Sequence, residues 1–368
     1  MHTPHTPSPP SDAAASEGAG AAAKRESRSV ISPGALASVC ARYDLGDVQR
    51  VYAFNRGSRR SPKAVVETAR GRYLVKRRER GRDDPTRVAS SHDLQLFLHA
   101  AGFPTPALLG TRLGNNSMVQ LDGLVFEVFE FVEGESFDRT PGPCEDAGRQ
   151  LAKLHELVRG YEPRWPSPVW TATAQHTTTA RQLDRIAGSD AAQRGTARQV
   201  VRTLRPLFAS VVAGLAGRKP HHQQTQMLHA DWHPGNMVFR SNTVAAVLDF
   251  DAARQGPVLF DLAGGALQFS MTRVGMDPDK WPDGLDAHRF AAFLRGYGPA
   301  ALETDLASLP AMMAAALVGE VVGPIAATGS FAGQDAVPFL RMVTRKIAWL
   351  LDHAPKLAAL AERSARGG

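Results

Sequence analysis

The chain has 368 residues, with 43 Lys+Arg against 36 Asp+Glu, 43% hydrophobic residues, 7% aromatics and two cysteines. That length suits one large or two moderate domains with a sizeable core, and the ordinary composition excludes wholesale disorder, collagen and coiled coil. Cys40 and Cys144 are too few for a disulfide framework or a cysteine-rich zinc site, and they fit a reducing compartment.

The positive excess is concentrated in the first 100 residues, which hold 17 of the Lys+Arg and 10 of the Asp+Glu. A dense run at Arg72, Lys76, Arg77, Arg78, Arg80 and Arg82 reads either as a solvated basic face or as a surface for an anion such as a nucleotide polyphosphate. No nucleic-acid motif accompanies it, so no nucleic-acid partner is expected. Residues 1–30 lack the apolar centre of a signal peptide. Ala311 to Ala327, interrupted by Glu320 and Pro324, reads as a core helix too short and broken to span a bilayer, so a cytoplasmic protein without a membrane partner is expected.

Residues 1–33, rich in Pro, Ser, Ala and Gly, cannot bury enough surface to offset their ordering entropy and are expected to be a disordered tail. From 34 to 134 the pattern is strand-like with one helix. Strands are expected at Val48 to Phe54, Ala64 to Thr68, Arg72 to Arg77, Ser117 to Leu121 and Leu124 to Val132, the last two joined by an Asp122-Gly123 turn. Leu94, Phe97, Leu98 and Ala101 fall at helical spacing within Ser90 to Ala101, and Gly102 and Pro104 stop that helix. From 135 to 368 the periodicity is mostly helical, as in Cys144 to Val158 and Ala180 to Ala213, with an island of strand and loop at Met227 to Asp251. A small sheet-rich unit followed by a larger helical one is an α+β, two-lobe arrangement.

The island carries the chemistry. Asn236 to Arg240 and Val244 to Phe250 flank Ser241-Asn242-Thr243 and read as a tight hairpin. Folded about residues 242 and 243, it brings Asn236 opposite Asp249, with Asp231 five residues before Asn236. An amide oxygen and a carboxylate at one end of a ribbon suit Mg²⁺, which keeps several waters and takes one or two carboxylates plus substrate phosphates. A nearby carboxylate outside the metal shell can accept a hydroxyl proton. The positions therefore suggest phosphoryl transfer, with Asp231 as base and Asn236 and Asp249 as metal ligands. Asp251 is either a further ligand or a structural acid.

His229-Ala-Asp231-Trp-His-Pro-Gly-Asn236, then Leu248-Asp249-Phe-Asp251, then Gly256-Pro257 and Asp261-Leu-Ala, resemble in order the motifs of the aminoglycoside phosphotransferase family. That family includes homoserine-kinase-like and choline-kinase-like enzymes and has a protein-kinase-like fold; the resemblance covers roughly residues 40–355. It implies an antiparallel-sheet N-lobe, a helical C-lobe, and ATP with Mg²⁺ as cofactors. It implies that His229 supports the catalytic loop bearing Asp231, that Asp261 braces it, and that Lys76 holds the nucleotide's α- and β-phosphates. It also implies that Val125 to Gly134 is the hinge, with backbone groups around Glu130 to Val132 pairing with adenine and Phe129 forming a wall. For Phe126, Phe129 and Phe131 plain strand packing is the competing reading.

Two departures stand out. The loop over the phosphates, Asn55 to Lys63, holds one glycine and four cations, so Gly57, Ser58 and the arginines either contact phosphate or form a solvated turn. The helix position where the family carries a glutamate for the lysine is Ser91, with Asp93 as a shorter substitute. A zinc site from His221, His222, His229 and His233 lacks the H-E-x-x-H helix pattern, and the glycines form no dinucleotide fingerprint. The sequence thus points to an ATP-dependent kinase acting on a small-molecule hydroxyl: an amino alcohol, amino acid or sugar. The alternative is a catalytically weak or inactive kinase-fold binding protein. Residues 227–368 hold 14 acids and 12 bases, a balance that does not favour a polycationic antibiotic. Trp165, Trp170, Trp232 and Trp281 supply either a stacking wall or ordinary core, and oligomeric state is left open.

Overall fold

The computed structural model describes residues 30–55, 60–188, 194–216 and 225–367. Most of the expected tail, Gly57 and Ser58 of the phosphate loop, and His221 and His222 lie outside the described residues. Where the tail was expected to end, the chain is already packed. Ile31 is buried, and the Ser32 side chain accepts from Ala35 N–H at 3.3 Å to start helix α1 (Pro33–Cys40). A serine cap followed by proline in the first turn is the signal that the apolar spacing of so short a segment hides.

Five antiparallel strands follow: β1 (Val48–Ala53), β2 (Lys63–Thr68), β3 (Gly71–Arg77), β4 (Val119–Leu121) and β5 (Leu124–Glu130), in spatial order β1-β2-β3-β5-β4. Asp122 and Gly123 both have positive φ (51° and 69°) and Leu121 pairs with Leu124, as a two-residue hairpin requires. Helix α2 (Pro85–Ala100) begins five residues before the apolar spacing suggested, because Asp84 caps it by accepting from Arg87 N–H at 2.9 Å. Val66, Val75, Phe126 and Val128 line the inner face of the sheet and pack against Leu36 and Val39 of α1.

The larger lobe holds α3 (Pro141–Leu157), α4 (Ala172–Gly188), α5 (Arg194–Ala216), α6 (Val258–Ser270), α7 (Ala287–Tyr297), α8 (Leu309–Thr328), α9 (Ala336–Asp352) and α10 (Ala354–Ala365). Two-stranded ribbons sit among them: β6 (Thr225–Leu228) with β9 (Arg254–Pro257), β7 (Met237–Arg240) with β8 (Thr243–Val247), and β10 (Ser330–Phe331) with β11 (Gln334–Asp335). Helices α3 and α7 touch backbone to backbone. A Cβ at Gly148 would stand 2.0 Å from the Phe293 carbonyl oxygen, and one at Gly296 would stand 1.8 Å from that of Glu145. The segment Leu306–Thr328 corrects the sequence expectation: its length and composition are sufficient to cross a membrane. Within the protein 67% of its most apolar window is buried, and it packs against α4, α5, α6 and α9.

The lobes are joined near the site. Gly134 sits where a Cβ would meet the Phe239 carbonyl oxygen at 2.4 Å, and Glu135 exchanges two backbone hydrogen bonds with Phe239 (2.7 and 3.0 Å). The Val247 N–H donates to the Pro104 carbonyl at 2.7 Å, tying β8 to the turn after α2.

Candidate active site

The β7–β8 hairpin forms, but with a different turn. Arg240 pairs with Thr243, so Ser241 (φ 55°) and Asn242 make the turn, and a bulge follows between Val238 and Phe239. Met237 pairs with Val247, and Leu248 N–H donates to the Asn236 carbonyl at 2.8 Å. Asn236 therefore stands opposite Leu248, with Asp249 one residue beyond, rather than opposite Asp249 as expected. The turn, one residue earlier than expected, shifts the pairing by two places, and the bulge takes back one of them.

The loop before β7 is fixed by Asp261, at the start of α6. Its carboxylate accepts from His229 N–H (2.8 Å) and Ala230 N–H (2.7 Å) and lies 3.3 Å from His155 Nε2. Held this way, Ala230 takes a left-handed φ of 62°, a conformation costing a non-glycine residue about 1–3 kcal/mol. His229, fully buried, accepts at Nδ1 from Asp231 N–H (3.3 Å) and donates from Nε2 to the Leu248 carbonyl (3.0 Å). It thereby links the loop to the segment carrying Asp249. The Asn236 amide donates to the Asp231 carbonyl (3.1 Å) and carboxylate (2.9 Å), which leaves its Oδ1 as an acceptor. His233 Nε2 lies 3.6 Å from the other Asp231 oxygen, while its Nδ1 accepts from Gly235 N–H at 2.9 Å. Burial works against charge on Asp231 and His233, but each outweighs it for the other, so the carboxyl is lowered and the imidazole raised.

Asp249, also left-handed (φ 63°, ψ 68°), meets the sheet lobe. Lys76 Nζ donates to Asp249 Oδ1 at 3.1 Å and to both Asp251 oxygens at 2.8 Å. Burial opposes the Lys76 charge, yet Asp249, Asp251 and Glu127 together raise its pKa; burial likewise opposes the charge on Asp249, and Lys76 overrides it and holds the carboxyl well down. Burial pushes Asp251 up to about 6 against the pull of Lys76, and Asp249 adds to the rise.

The acid behind Lys76 is neither of the residues expected. Ser91 accepts from Arg78 at 3.0 Å, and Asp93 is taken by the Tyr161 hydroxyl (2.5 Å) and Arg164 N–H (3.2 Å). Instead Glu127, the cross-strand partner of Lys76 on β5 and fully buried, has Oε2 3.8 Å from Lys76 Nζ. Its Oε1 bonds to Arg78 Nε and to His92 Nε2, the latter at 2.8 Å, and Arg78 also pairs with Asp251 at 2.8 Å. Burial opposes the Glu127 charge, but Arg78 and Lys76 outweigh it and hold the carboxyl well below the usual range. The signal was present in Leu124-Val-Phe-Glu127-Val-Phe-Glu130: an acid flanked on both sides by apolar residues in mid-strand, set by antiparallel register across from the lysine.

At the strand end, Phe126 is core, whereas Phe129 is half-buried. Phe131 stacks edge-on against Phe54 at 5.6 Å, with the Arg72 guanidinium over its ring. Two of the backbone donors expected to face adenine are engaged: Glu130 N–H on the Ala107 carbonyl and Phe131 N–H on that of Arg72 (both 2.9 Å). Val132 N–H has no partner among the described residues. Beside Asp231 a cavity of about 440 Å³ opens between α4, α6, α8 and β9. Trp170 and the buried Trp232 line it; Trp165 lies elsewhere on the surface, and Trp281 packs against Phe339.

Asn236, Asp249 and Asp251 offer only hard oxygen donors. That set fits a magnesium ion that completes its shell with water and phosphate, and Lys76 beside it fits a polyphosphate. A sheet lobe whose buried lysine reaches the acids of a helical lobe is the two-lobe kinase-like fold. The family model described as the phosphotransferase enzyme family matches residues 52–309, and the chain belongs to that family. It is 28% identical over 230 residues to a homoserine kinase of Caulobacter vibrioides, a match covering 60% of this chain and 66% of the relative. It is also 28% identical over 313 residues to a homoserine kinase of Pseudomonas aeruginosa, covering 82% and 89%. Among solved structures, a microcompartment-associated aminopropanol kinase superposes with a TM-score of 0.62 at 17% identity, over 86% of this chain and 96% of the other, a likeness of fold.

Proposed function

We propose that this chain is an ATP-dependent kinase that transfers the γ-phosphoryl group to a hydroxyl of a small molecule. The observation that carries this reading is the meeting of Lys76 with Asp249 and Asp251, 173 and 175 residues away, next to a cavity that Asp231 lines. Asp231, kept ionised by His233 and oriented by Asn236, accepts the acceptor's hydroxyl proton. Asn236 and Asp249 hold the metal, with Asp251 as their neighbour, and Lys76 exchanges its carboxylate partners for phosphate oxygens while Glu127 keeps it in place. His229 positions the loop, and Phe129 with the Glu130–Val132 backbone bounds the adenine. Bound ATP and Mg²⁺ supply the phosphoryl group and neutralise its charge. The inactive reading rests on the altered phosphate loop and on the lack of a helix acid for Lys76; residues 56–59 of that loop lie outside the described residues, and Glu127 of the neighbouring strand stands 3.8 Å from Lys76 Nζ. The homoserine and aminopropanol kinases among the similar proteins support a small hydroxyl acceptor carrying nitrogen.

Mg-ATP at 100 times its dissociation constant should stabilise the protein by about 2.7 kcal/mol, read as a rise in Tm. Asp231→Asn should keep that rise while turnover falls about 10²- to 10⁴-fold. No thermal shift at millimolar Mg-ATP, or turnover unchanged in Asp231→Asn, would overturn the reading.

A further inference from the structure

A second concavity, of about 940 Å³, opens between α2 and β4, the edge strand of the sheet, and reaches the loop after α3 at Arg164 and Trp165. Ala89, His92 and Leu96 form its α2 wall, their spacing of three and four residues placing them on one helix face. Leu96, Leu113 and Trp165 line it while 44%, 86% and 45% exposed. Leu113 does not stand on a loose tip: the Thr111 hydroxyl donates to its carbonyl (2.8 Å) and accepts from Asn116 N–H (2.9 Å). A groove of ordinary ligand-site volume thus keeps three large apolar side chains in water.

Its charge is one-sided. Among the described residues that line it, Arg42, Arg112 and Arg164 stand against one carboxylate, Asp93. That acid already accepts from the Tyr161 hydroxyl (2.5 Å) and Arg164 N–H (3.2 Å), and Arg164 Nε lies 3.5 Å away. Arg42 and Arg112 meet at one end, where Arg112 N–H donates to the Arg42 carbonyl at 2.8 Å. Their guanidinium groups donate to the Gln120 carbonyl (3.5 Å) and the Ala41 carbonyl (2.5 Å), and neither has a carboxylate partner among the described residues. Both are exposed and solvated, and a cleft rich in one sign of charge concentrates counter-ions.

The floor of the groove leads to Lys76. His92 is buried there, and Glu127, ionised beside Arg78 and Lys76, can only accept, so His92 Nε2 donates to it at 2.8 Å. His92 Nδ1 lies 2.9 Å from the hydroxyl of Ser117 on the opposite wall. Ser117, His92, Glu127 and Lys76 therefore form one run of polar contacts from the groove to the active site. Resting on the phosphate role of Lys76 proposed above, we infer that the groove is a regulatory site for a small organic anion with an apolar or aromatic body. Arg42 and Arg112 read the anionic group, Leu96, Leu113 and Trp165 bear the body, and occupancy alters Mg-ATP binding through Ser117, His92 and Glu127. The concavity suits a small molecule better than a flat bilayer.

Two probes test this on the full chain: 8-anilinonaphthalene-1-sulfonate, and N-phenyl-1-naphthylamine, the same body without the sulfonate. In fluorescence titrations the sulfonate should bind saturably and about 10-fold more tightly than the amine. Arg42→Gln combined with Arg112→Gln should erase that difference, and Leu113→Ser should weaken both probes alike. An unchanged Tm without probe shows that each variant folds. Equal binding of the two probes to the wild type, or an unaltered sulfonate affinity in the double variant, would overturn the site. Sedimentation with phosphatidylglycerol vesicles, lost in the double variant, would assign the face to a bilayer instead. Saturating sulfonate should shift the dissociation constant of Mg-ATP about 5-fold or more, and Mg-ATP should shift that of the sulfonate by the same factor. Ser117→Ala should keep sulfonate binding and lose the shift. Independent binding in the wild type would overturn the regulatory role, as would mutual exclusion that persists in the double variant, which places the probe in the nucleotide cleft. If Mg-ATP binds neither with nor without sulfonate, the kinase reading fails separately, and the probe titrations still decide the groove.

Discussion

In the sheet lobe, Lys76 and Arg78 are 4% and 3% exposed and are held by charge: Glu127 between them, His92 behind it, and Asp251 reaching across from the other lobe. In the helical lobe, the loop that carries Asp231 is held by neutral donors, the His229 and Ala230 N–H groups on Asp261. A dry cluster of full charges balances only as a set, so losing one member strands the others. A backbone loop hung on a single acceptor loses direction more than it loses stability. One region is thus tuned for permanence and the other for aim.

Glu127→Gln should break that contrast most sharply. It leaves Arg78 and Lys76 buried with one acid fewer and should cost about 3–5 kcal/mol, measured by chemical unfolding. A loss below 1 kcal/mol would mean that the network is not the sheet lobe's anchor. Asp261→Asn exchanges one of two accepting oxygens for a donor facing a donor. It should cost about 1–3 kcal/mol, lower kcat, and leave KM for ATP near wild type. An equal effect on KM for ATP would show that the loop and nucleotide clefts are not separately held. The smallest effect belongs to His233→Asn. The raised His233 pKa gives stability that is full below its unfolded value of 6.5 and is lost as pH rises through the folded value. Asp231 contributes above 3.8 and loses its share as pH falls through its lowered folded value. The variant's Tm should therefore decline less than wild type between pH 6 and pH 9. Both side chains are partly exposed, so the difference should be slight, and parallel curves would remove the pairing from the stability account.

The five strands of the sheet lobe and helices α2, α3, α5 and α8 were legible because period-two and helical apolar spacing report burial directly, whereas β9, β10 and β11, two to four residues each, carry too little spacing to read. Helix α1 was missed because eight residues carry too little periodicity, although Ser32 and Pro33 mark its start. The hairpin residues were legible and their register was not, since the turn falls one residue earlier and shifts the pairing by two places, of which the bulge at Val238/Phe239 restores one. The order of Asp231, Asn236 and Asp249 survives in a linear motif, whereas Glu127 reaches Lys76 only through strand pairing and stands on β5 rather than on the following helix. In the sequence Glu320 reads only as an interruption of an apolar helix, and its place on the cavity wall is set by the fold.

The paired bonds between Glu135 and Phe239 make the first residue past the crossover a fifth wheel of the catalytic ribbon, riding with it as one piece. Any swing of one lobe against the other over Val132 to Gly134, where a side-chain-free residue presses on the ribbon's own backbone, would also have to break the Val247 N–H bond to the Pro104 carbonyl. Whatever is gripped ahead of that pivot travels with the sheet, and Asn236 keeps station with the helices.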